Sequence, residues 1–194
     1  MSLSKIEKIE KLAWLDMEMT GLNPLTDSIL EIALVITNTE LKVLDLLHID
    51  VQTDSQVLKG MDEWCTKTHS ESGLMERCLA SQTSIKMADE ACGSLLRTHF
   101  PEKRAILAGN SIHQDRKFVD IHMPLLERQL HYRMLDVSTF KVTFQMLRNT
   151  QYHKKNKHSA LEDIFESIEE YSYYLKECHL MPPGAAHSNV GDSK

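Results

Sequence analysis

Two carboxylates stand two residues apart at the end of a short apolar segment. Asp16 and Glu18 follow the run Leu12 to Leu15, which is typical of a buried β-strand. Because alternate residues of a strand point to the same face, both carboxylates are expected on one side of it. Two desolvated acids repel each other unless a cation or a donor compensates them, which favours a divalent-metal site. The alternative is a strand that simply reaches solvent at Asp16.

A second candidate pair lies at the start of the last predicted helix. Apolar residues spaced by threes and fours predict a helix from about Ala160 to Cys178, and Ser159 with Glu162 has the pattern of a capping box. His158 then precedes the helix and Asp163 lies near its beginning. A histidine beside a carboxylate suits a general base that takes a proton from water. Alternatively, the histidine faces solvent and the aspartate only supports the helix N-terminus.

A further acid, Asp115, follows the predicted strand RAILAGNS, whose Gly109-Asn110 pair indicates a turn. Asp115 is therefore expected near the start of the next helix, where the helix dipole alone would favour an acid. The ordered combination is more specific than its parts. Acid-x-acid on the first strand, an acid after a later strand and His-x4-Asp at the last helix together describe a two-metal phosphodiesterase site.

Length and composition indicate a single globular domain. The chain has 194 residues, of which 42% are hydrophobic, and domains hold roughly 100 to 200 residues. The formal net charge of -6 argues against a broad basic surface for long nucleic acid, so a polyanionic partner must be short or bridged by metal. No segment approaches the roughly 20 apolar residues of a membrane span, and no membrane partner is expected.

Cysteine usage indicates an intracellular protein. The four cysteines include no C-x-x-C pair and no zinc-type spacing with histidine, so they are predicted to be reduced thiols. They are Cys65, Cys78, Cys92 and Cys178.

The order of apolar segments predicts an α/β fold. Three strands joined by short turns suggest an antiparallel meander, and helical spacing dominates from about Ser55. Two later segments, RAILAGNS and RMLDVST, are predicted strands with helices around them. We expect a flexible N-terminus over 1–10, one domain over 11–180 and a disordered tail over 181–194. The first three predicted strands are KLAWLDMEM, SILEIALVIT and LKVLDLLHIDV.

Five sequence segments resemble the motifs of a known family, the DEDDh group of 3′-to-5′ exonucleases, and within it the oligoribonuclease branch. The resemblance covers about Leu12 to Leu180 and implies a ribonuclease H-like fold, a mixed sheet flanked by helices. Its family residues are Asp16, Glu18, Asp115, His158 and Asp163. The segments are WLDMEMTGLNP, MDEWCTKTHSESGL, GNSIHQDRKF, HYRMLDVST and HSALEDIFESI.

The resemblance implies a metal-dependent mechanism. Asp16, Glu18 and Asp163 would hold two divalent cations, Mg²⁺ or Mn²⁺, and Asp115 would complete the acidic cage, partly through water. His158 would deprotonate the attacking water. The implied reaction is hydrolysis of the 3′-terminal phosphodiester of very short RNA, from dinucleotides to about five nucleotides, with release of nucleoside 5′-monophosphates.

The resemblance also assigns substrate-binding residues. Leu22 would wedge between the last two bases, and Trp64 with His69 would line the nucleotide pocket, where stacking ignores base identity. Without the family, core packing of Trp64 on its helix is an equal alternative. Arg133 taken alone would be a surface cation paired with Glu127 or Asp136. The group expected to cap the 5′-phosphate is Ser111, Tyr132, Arg133 and Ser138.

Assembly and source are further expectations from the family. Its members are homodimers in which the HYR segment reaches the partner's site, so a homodimer with shared sites is implied. His113 stands where bacterial members have Gly, and the spacer KKNK before His158 differs as well. Both differences indicate a eukaryotic branch, for which mitochondrion and cytoplasm are the expected locations.

Two other functions remain open on the residues alone. One is a related DEDDh nuclease that trims longer RNA or single-stranded DNA, against which the 5′-phosphate group counts. The other is a non-catalytic nucleic-acid or protein-binding module of the same fold, which is expected to lack at least one of the five family residues.

Overall fold

The computed structural model describes residues 8–152 and 159–180, which form a five-stranded sheet with helices packed against it. The strands are β1 (Lys11–Met19), β2 (Ile29–Asn38), β3 (Val43–Asp50), β4 (Ala105–Gly109) and β5 (Leu130–Asp136). The first helices are α1 (Ser55–Lys59), α2 (Glu63–Glu71), α3 (Leu74–Ala80) and α4 (Ile85–His99). The remaining helices are α5 (His113–His122), α6 (Pro124–Glu127), α7 (Val137–Arg148) and α8 (Ala160–Glu177).

The sheet is mixed, with the strand order β3-β2-β1-β4-β5. Strands β1, β2 and β3 form an antiparallel meander, while β4 pairs in parallel with both β1 and β5. The predicted α/β architecture, a three-strand meander plus parallel strands, is therefore confirmed. The central position of β1 places its acidic end in the middle of the sheet.

Strand β1 separates two hydrophobic layers by simple alternation of its side chains. Ala13 and Leu15 belong to the layer that packs on α4, α5 and α6. Leu12 and Trp14 belong to the opposite layer, which packs on α7 and α8. Asp16 and Glu18 continue the second row, so the period of the strand aims both carboxylates toward the side of the sheet that α8 covers.

Strand β5 ends earlier than the sequence pattern predicts. The expected strand RMLDVST continues to Thr139, but β5 stops at Asp136 and the next three residues already belong to α7. The Asp136 side chain accepts the backbone N–H of Ser138 at 2.9 Å and caps the helix. That prediction is wrong at its C-terminal end because an aspartate N-cap favours helix over strand.

The predictions for the chain ends and for the cysteines have different outcomes. Of the predicted flexible N-terminus, residues 1–7 lie outside the described residues, and so does the whole predicted tail, 181–194. All four cysteines are free thiols, as predicted, and three of them are buried. Across the described ranges, no helix has the length and apolar character needed to cross a membrane.

Candidate active site

Three of the predicted acids meet at the acidic end of β1. Asp16, Glu18 and Asp163 each offer a carboxylate oxygen, and these oxygens all lie within 4.8 Å of one another. Two come from one strand face and the third from the first turn of α8, far away in the sequence. The structure therefore brings these three predicted residues together. An all-oxygen donor set of this kind fits hard divalent cations such as Mg²⁺ or Mn²⁺.

The start of α8 places Asp163 beside the β1 pair. Ser159 is the N-cap, as predicted, and the Asp163 N–H donates to the Ser159 carbonyl at 2.9 Å. The Ser159 side chain makes no capping hydrogen bond, so its half of the predicted capping box does not form. Instead, the N–H of Ala160 donates to Glu31 Oε2 at 2.8 Å. A side chain of the sheet therefore takes over one of the unsatisfied amides of the helix.

Glu31 is a functional candidate that sequence reasoning missed. It lies on β2 opposite Glu18, is fully buried, and its Oε1 accepts a hydrogen bond from the Arg77 guanidinium at 2.7 Å. His48 Nε2 lies 2.8 Å from the same oxygen. The available signal was an acid inside the otherwise apolar segment SILEIALVIT, because a buried carboxylate needs partners.

A second group of residues that could hold a metal includes Glu31 itself. It differs from the group at the end of β1 because a positively charged side chain already contacts it. Glu31, His48 and Asp50 bring ligand atoms within 4.8 Å of one another. Arg77 already donates to both carboxylates of this group, with its Nε 3.1 Å from Asp50 Oδ1. The positive charge that a metal would supply is therefore provided by the protein, and we assign this group a structural role.

The electrostatics of the group formed by Asp16, Glu18 and Asp163 also favour a bound cation. Burial, followed by the charges of Asp163, Glu31 and Asp115, raises the pKa of Glu18 to about 7. Burial also raises the pKa of Asp115, whose Oδ1 accepts the backbone N–H of Met17 at 3.0 Å. Asp115 is thus fixed against β1 from the first turn of α5, as the sequence predicted. Crowded carboxylates with raised pKa values gain from a bound divalent cation.

The structure does not describe the fifth family residue. His158, the predicted general base, falls in 153–158, outside the described residues. Its role stays a prediction.

The predicted nucleotide-pocket residues occupy three different environments. Leu22 lies in the β1–β2 loop with 68% of its surface exposed. Trp64 is 63% exposed, so the alternative of core packing for this side chain is wrong. His69 is buried, and its Nε2 lies 2.9 Å from the carbonyl of Met19 at the end of β1. Its Nδ1 lies 4.0 Å from Glu18 Oε2, so this imidazole borders the acidic group directly.

Two of the predicted phosphate-binding residues contact each other. The backbone N–H of Ser111 donates to Ser138 Oγ at 2.9 Å, and the two hydroxyl oxygens are 3.2 Å apart. The Ser111 N–H also lies 3.0 Å from Asp136 Oδ1, and Ser111 has a φ of 50°. A serine in the left-handed region is uncommon, and these bonds to its amide hold it there.

The other two predicted phosphate-binding residues lie on the exposed edge strand β5. Tyr132 is 74% exposed, and the Arg133 guanidinium carbon lies 5.3 Å from the centre of its ring. The simpler alternative paired Arg133 with Glu127 or Asp136. Glu127 instead accepts from Arg116 at 3.3 Å, and Asp136 accepts backbone amides at the start of α7. The structure therefore favours neither of those pairs.

The raised pKa of Glu18 predicts how pH changes the effect of metal on stability. At Glu18, the folded state retains a proton that the unfolded state releases between about pH 4.5 and 7, so this residue lowers the stability of the metal-free protein by about 3 kcal/mol as pH rises through that window. Mg²⁺ should therefore raise the melting temperature more near pH 8 than near pH 5. Calorimetry in Mg²⁺ and in EDTA measures this. Glu18→Gln should weaken the pH dependence, and equal shifts in both proteins at both pH values would contradict the expectation.

Comparisons with known proteins identify the family of this chain. A family model described as exonuclease matches residues 13–171. An oligoribonuclease of Hydrogenovibrio crunogenus is 43% identical over 173 residues, which cover 87% of this chain and 94% of that protein. An oligoribonuclease of Chromobacterium violaceum is 44% identical over 167 residues, covering 84% of this chain and 92% of that one.

Solved structures share the fold at much lower identity. A product-bound exonuclease I structure has a TM-score of 0.63 and 13% identity, covering 90% of this chain but 45% of the other. The zinc-bound complex of Escherichia coli exonuclease I with single-stranded DNA has a TM-score of 0.61 and 13% identity, covering 89% and 42%. At these identities the likeness supports the fold alone. From the family match and the near full-length relatives, the chain belongs to the oligoribonuclease branch of the exonuclease family.

Proposed function

We propose that this protein is a metal-dependent 3′-to-5′ exoribonuclease that degrades RNA oligomers of about two to five nucleotides to nucleoside 5′-monophosphates. The observation that carries the proposal is the meeting of Asp16, Glu18 and Asp163 in a chain whose relatives are oligoribonucleases over nearly their full length. The presence of all five family residues in the sequence counts against a non-catalytic module.

The reaction divides between the carboxylates and the histidine. Asp16, Glu18 and Asp163 would hold two cations, Mg²⁺ or Mn²⁺, with Asp115 alongside them. Bound divalent cations lower the pKa of a coordinated water and stabilise the attacking and leaving oxygens of an in-line displacement. His158 accepts the proton of the attacking water in this proposal. The protein keeps the acids in place through the strand period and the first turn of α8, so little reorganisation is needed when substrate binds.

Base recognition is proposed to be independent of sequence. The exposed Leu22 and Trp64 offer apolar and aromatic surface for the terminal bases, which suits stacking without hydrogen-bond readout. His69 lies on the same helix as Trp64, contacts the end of β1 and lies next to Glu18. The terminal nucleotide would therefore lie between these side chains with its phosphodiester over the carboxylates.

Length selection is proposed to come from a 5′-phosphate cap. Ser111 and Ser138 lie together at the ends of β4 and β5, and Arg133 stands exposed on the same edge strand with Tyr132 beside it. Hydroxyls, amides and a guanidinium are suitable donors for a terminal phosphate. The net charge of -6 agrees with a short substrate, because a dinucleotide brings few phosphates to neutralise.

The proposal includes a homodimer of the eukaryotic branch acting inside cells, in mitochondrion or cytoplasm. Strand β5 forms one edge of the sheet, and its exposed Tyr132 and Met134 provide surface for a second copy. Sedimentation would measure the assembly state. Four free thiols agree with a reducing compartment.

The decisive experiment compares turnover of 5′-labelled RNA dinucleotides with that of RNA and DNA oligomers of about 20 nucleotides, in Mg²⁺ and in Mn²⁺. We expect kcat/KM on dinucleotides to exceed that on long RNA by about a hundredfold, since long chains place no terminal phosphate in the cap. Equal rates on both RNA lengths would remove the short-oligomer proposal and leave a general nuclease. Faster turnover of long DNA would favour the alternative that trims single-stranded DNA.

A further inference from the structure

A buried carboxylate on α8 lies behind the proposed phosphate cap. Glu170 is fully buried, although glutamate is rarely so, and it was not among the predicted site residues. Its Oε2 accepts a hydrogen bond from Asn110 Nδ2 at 2.9 Å, and its Oε1 accepts one from the Tyr174 hydroxyl at 3.1 Å. Asn110 directly precedes Ser111, so this carboxylate is bonded to the side chain of the residue next to the proposed cap.

The hydrogen-bond partners fix the orientation of the Asn110 amide. The two oxygens of Glu170 accept from Asn110 Nδ2 and from the Tyr174 hydroxyl, so the amide NH₂ faces Glu170. The same Nδ2 lies 2.9 Å from Ser167 Oγ, whose own hydrogen goes to the Asp163 carbonyl at 2.7 Å. Ser167 is thus also an acceptor toward Asn110. Both contacts select the orientation in which Asn110 Oδ1 points away from α8.

This orientation sets the direction of the next hydrogen bonds. Asn110 Oδ1 lies 3.2 Å from Ser138 Oγ and accepts the hydrogen of that hydroxyl. Ser138 Oγ in turn accepts the Ser111 N–H at 2.9 Å. Because the Ser138 hydrogen is engaged by Asn110, the Ser111 hydroxyl is the group that remains able to donate to an anion from this pair.

We propose that Glu170 is a positioning residue for 5′-phosphate recognition, which acts by holding Asn110 so that the Ser138 hydroxyl stays bonded to Asn110 and the Ser111 hydroxyl stays available to donate to the phosphate. This inference rests on the proposed function of the cap. It also gives a role to the buried acid at the back of the site. The alternative orientation of Asn110 would place an NH₂ against Ser138, so the Ser138 hydrogen would turn toward the Ser111 hydroxyl, 3.2 Å away, while the Ser111 N–H would still donate to Ser138.

The test uses the ratio of kcat/KM on a 5′-phosphorylated dinucleotide to that on its 5′-hydroxyl form. Glu170→Met fills a similar volume and accepts poorly, so Asn110 loses its carboxylate acceptor and keeps the weaker Ser167 hydroxyl, and the ratio should fall about tenfold. A change in overall stability would lower both rates and leave the ratio unchanged. Arg133→Ala measures the effect of the cap itself and should also lower the ratio.

Two further variants separate positioning from general damage to the core. In Glu170→Gln, the amide oxygen can still accept from Asn110 while its NH₂ faces the Tyr174 oxygen, so the ratio should stay within about twofold of the wild type. Tyr174→Phe removes the hydrogen bond that Tyr174 donates to Glu170 and keeps the Asn110 bond, so its ratio should also be preserved. If Glu170→Met does not fold, Asn110→Ala removes the same link and should lower the ratio.

The outcomes distinguish this inference from the proposal on which it rests. A ratio that falls with Arg133→Ala but not with Glu170→Met or Asn110→Ala would overturn the role of Glu170 and leave the cap standing. A wild-type ratio near one, with equal loss on both substrates in Arg133→Ala, would overturn the cap and this inference together. A fall in Tyr174→Phe as large as in Glu170→Met would show that core packing, not the orientation of Asn110, controls the cap.

Discussion

An Asp163→Asn variant is expected to lower kcat on RNA dinucleotides by about a thousandfold or more while the protein stays folded. The substitution keeps the shape of the side chain and removes one of three negative charges that meet at the end of β1. It also removes one of the charges that raise the pKa of Glu18. Affinity for divalent cations should therefore fall together with turnover, because fewer anionic ligands remain.

The measurements are steady-state turnover, Mn²⁺ binding by calorimetry and thermal unfolding in EDTA. Glu162→Gln provides the matched control, since it removes an exposed acid from the same first turn of α8. That control should retain most of the wild-type turnover and metal affinity. An Asp163→Asn protein with normal Mn²⁺ affinity and more than a tenth of the turnover would contradict the assignment of the site.

The part of the site that follows a simple period could be predicted from the sequence. Asp16 and Glu18 share a face because alternate residues of a strand do so, and the apolar run before them identified the strand. Asp163 was predicted at the start of α8 because helical spacing began at Ala160 after a serine. The fold class followed for the same reason, since three apolar segments with short turns favour an antiparallel meander.

Contacts between distant segments could not be predicted in this way. The capping box at Ser159 has a local sequence signature, yet the amide of Ala160 bonds to Glu31, which is 129 positions away. Trp64 fits the apolar spacing of its helix, but that helix exposes it. The Asn110–Glu170 contact likewise joins the residue after β4 to α8 across 60 positions. Such partners depend on which elements the fold brings together, and local spacing carries no information about that.

Substitution of Glu31 measures how much these distant contacts contribute to stability and activity. Three donors from three elements meet at this one buried carboxylate. Glu31→Ala should lower the free energy of unfolding by about 3 kcal/mol, since it removes the buried one of the two carboxylates that Arg77 contacts and the acceptor for Ala160 at once. Urea unfolding in EDTA measures this loss. Asp50→Ala is the matched control, because it removes the other, more exposed carboxylate that Arg77 contacts.

The same variant should also lose activity beyond what its stability explains. Without Glu31, the first amide of α8 has lost its acceptor, so the turn that carries Asp163 is no longer tied to the sheet beside Glu18. At a temperature where both variants are fully folded, kcat/KM should fall about tenfold or more in Glu31→Ala and about twofold or less in Asp50→Ala, because a displaced ligand weakens metal binding. Raising Mg²⁺ should recover part of the loss in Glu31→Ala. If both variants lose the same activity and neither responds to Mg²⁺, Glu31 stabilises the fold without positioning Asp163.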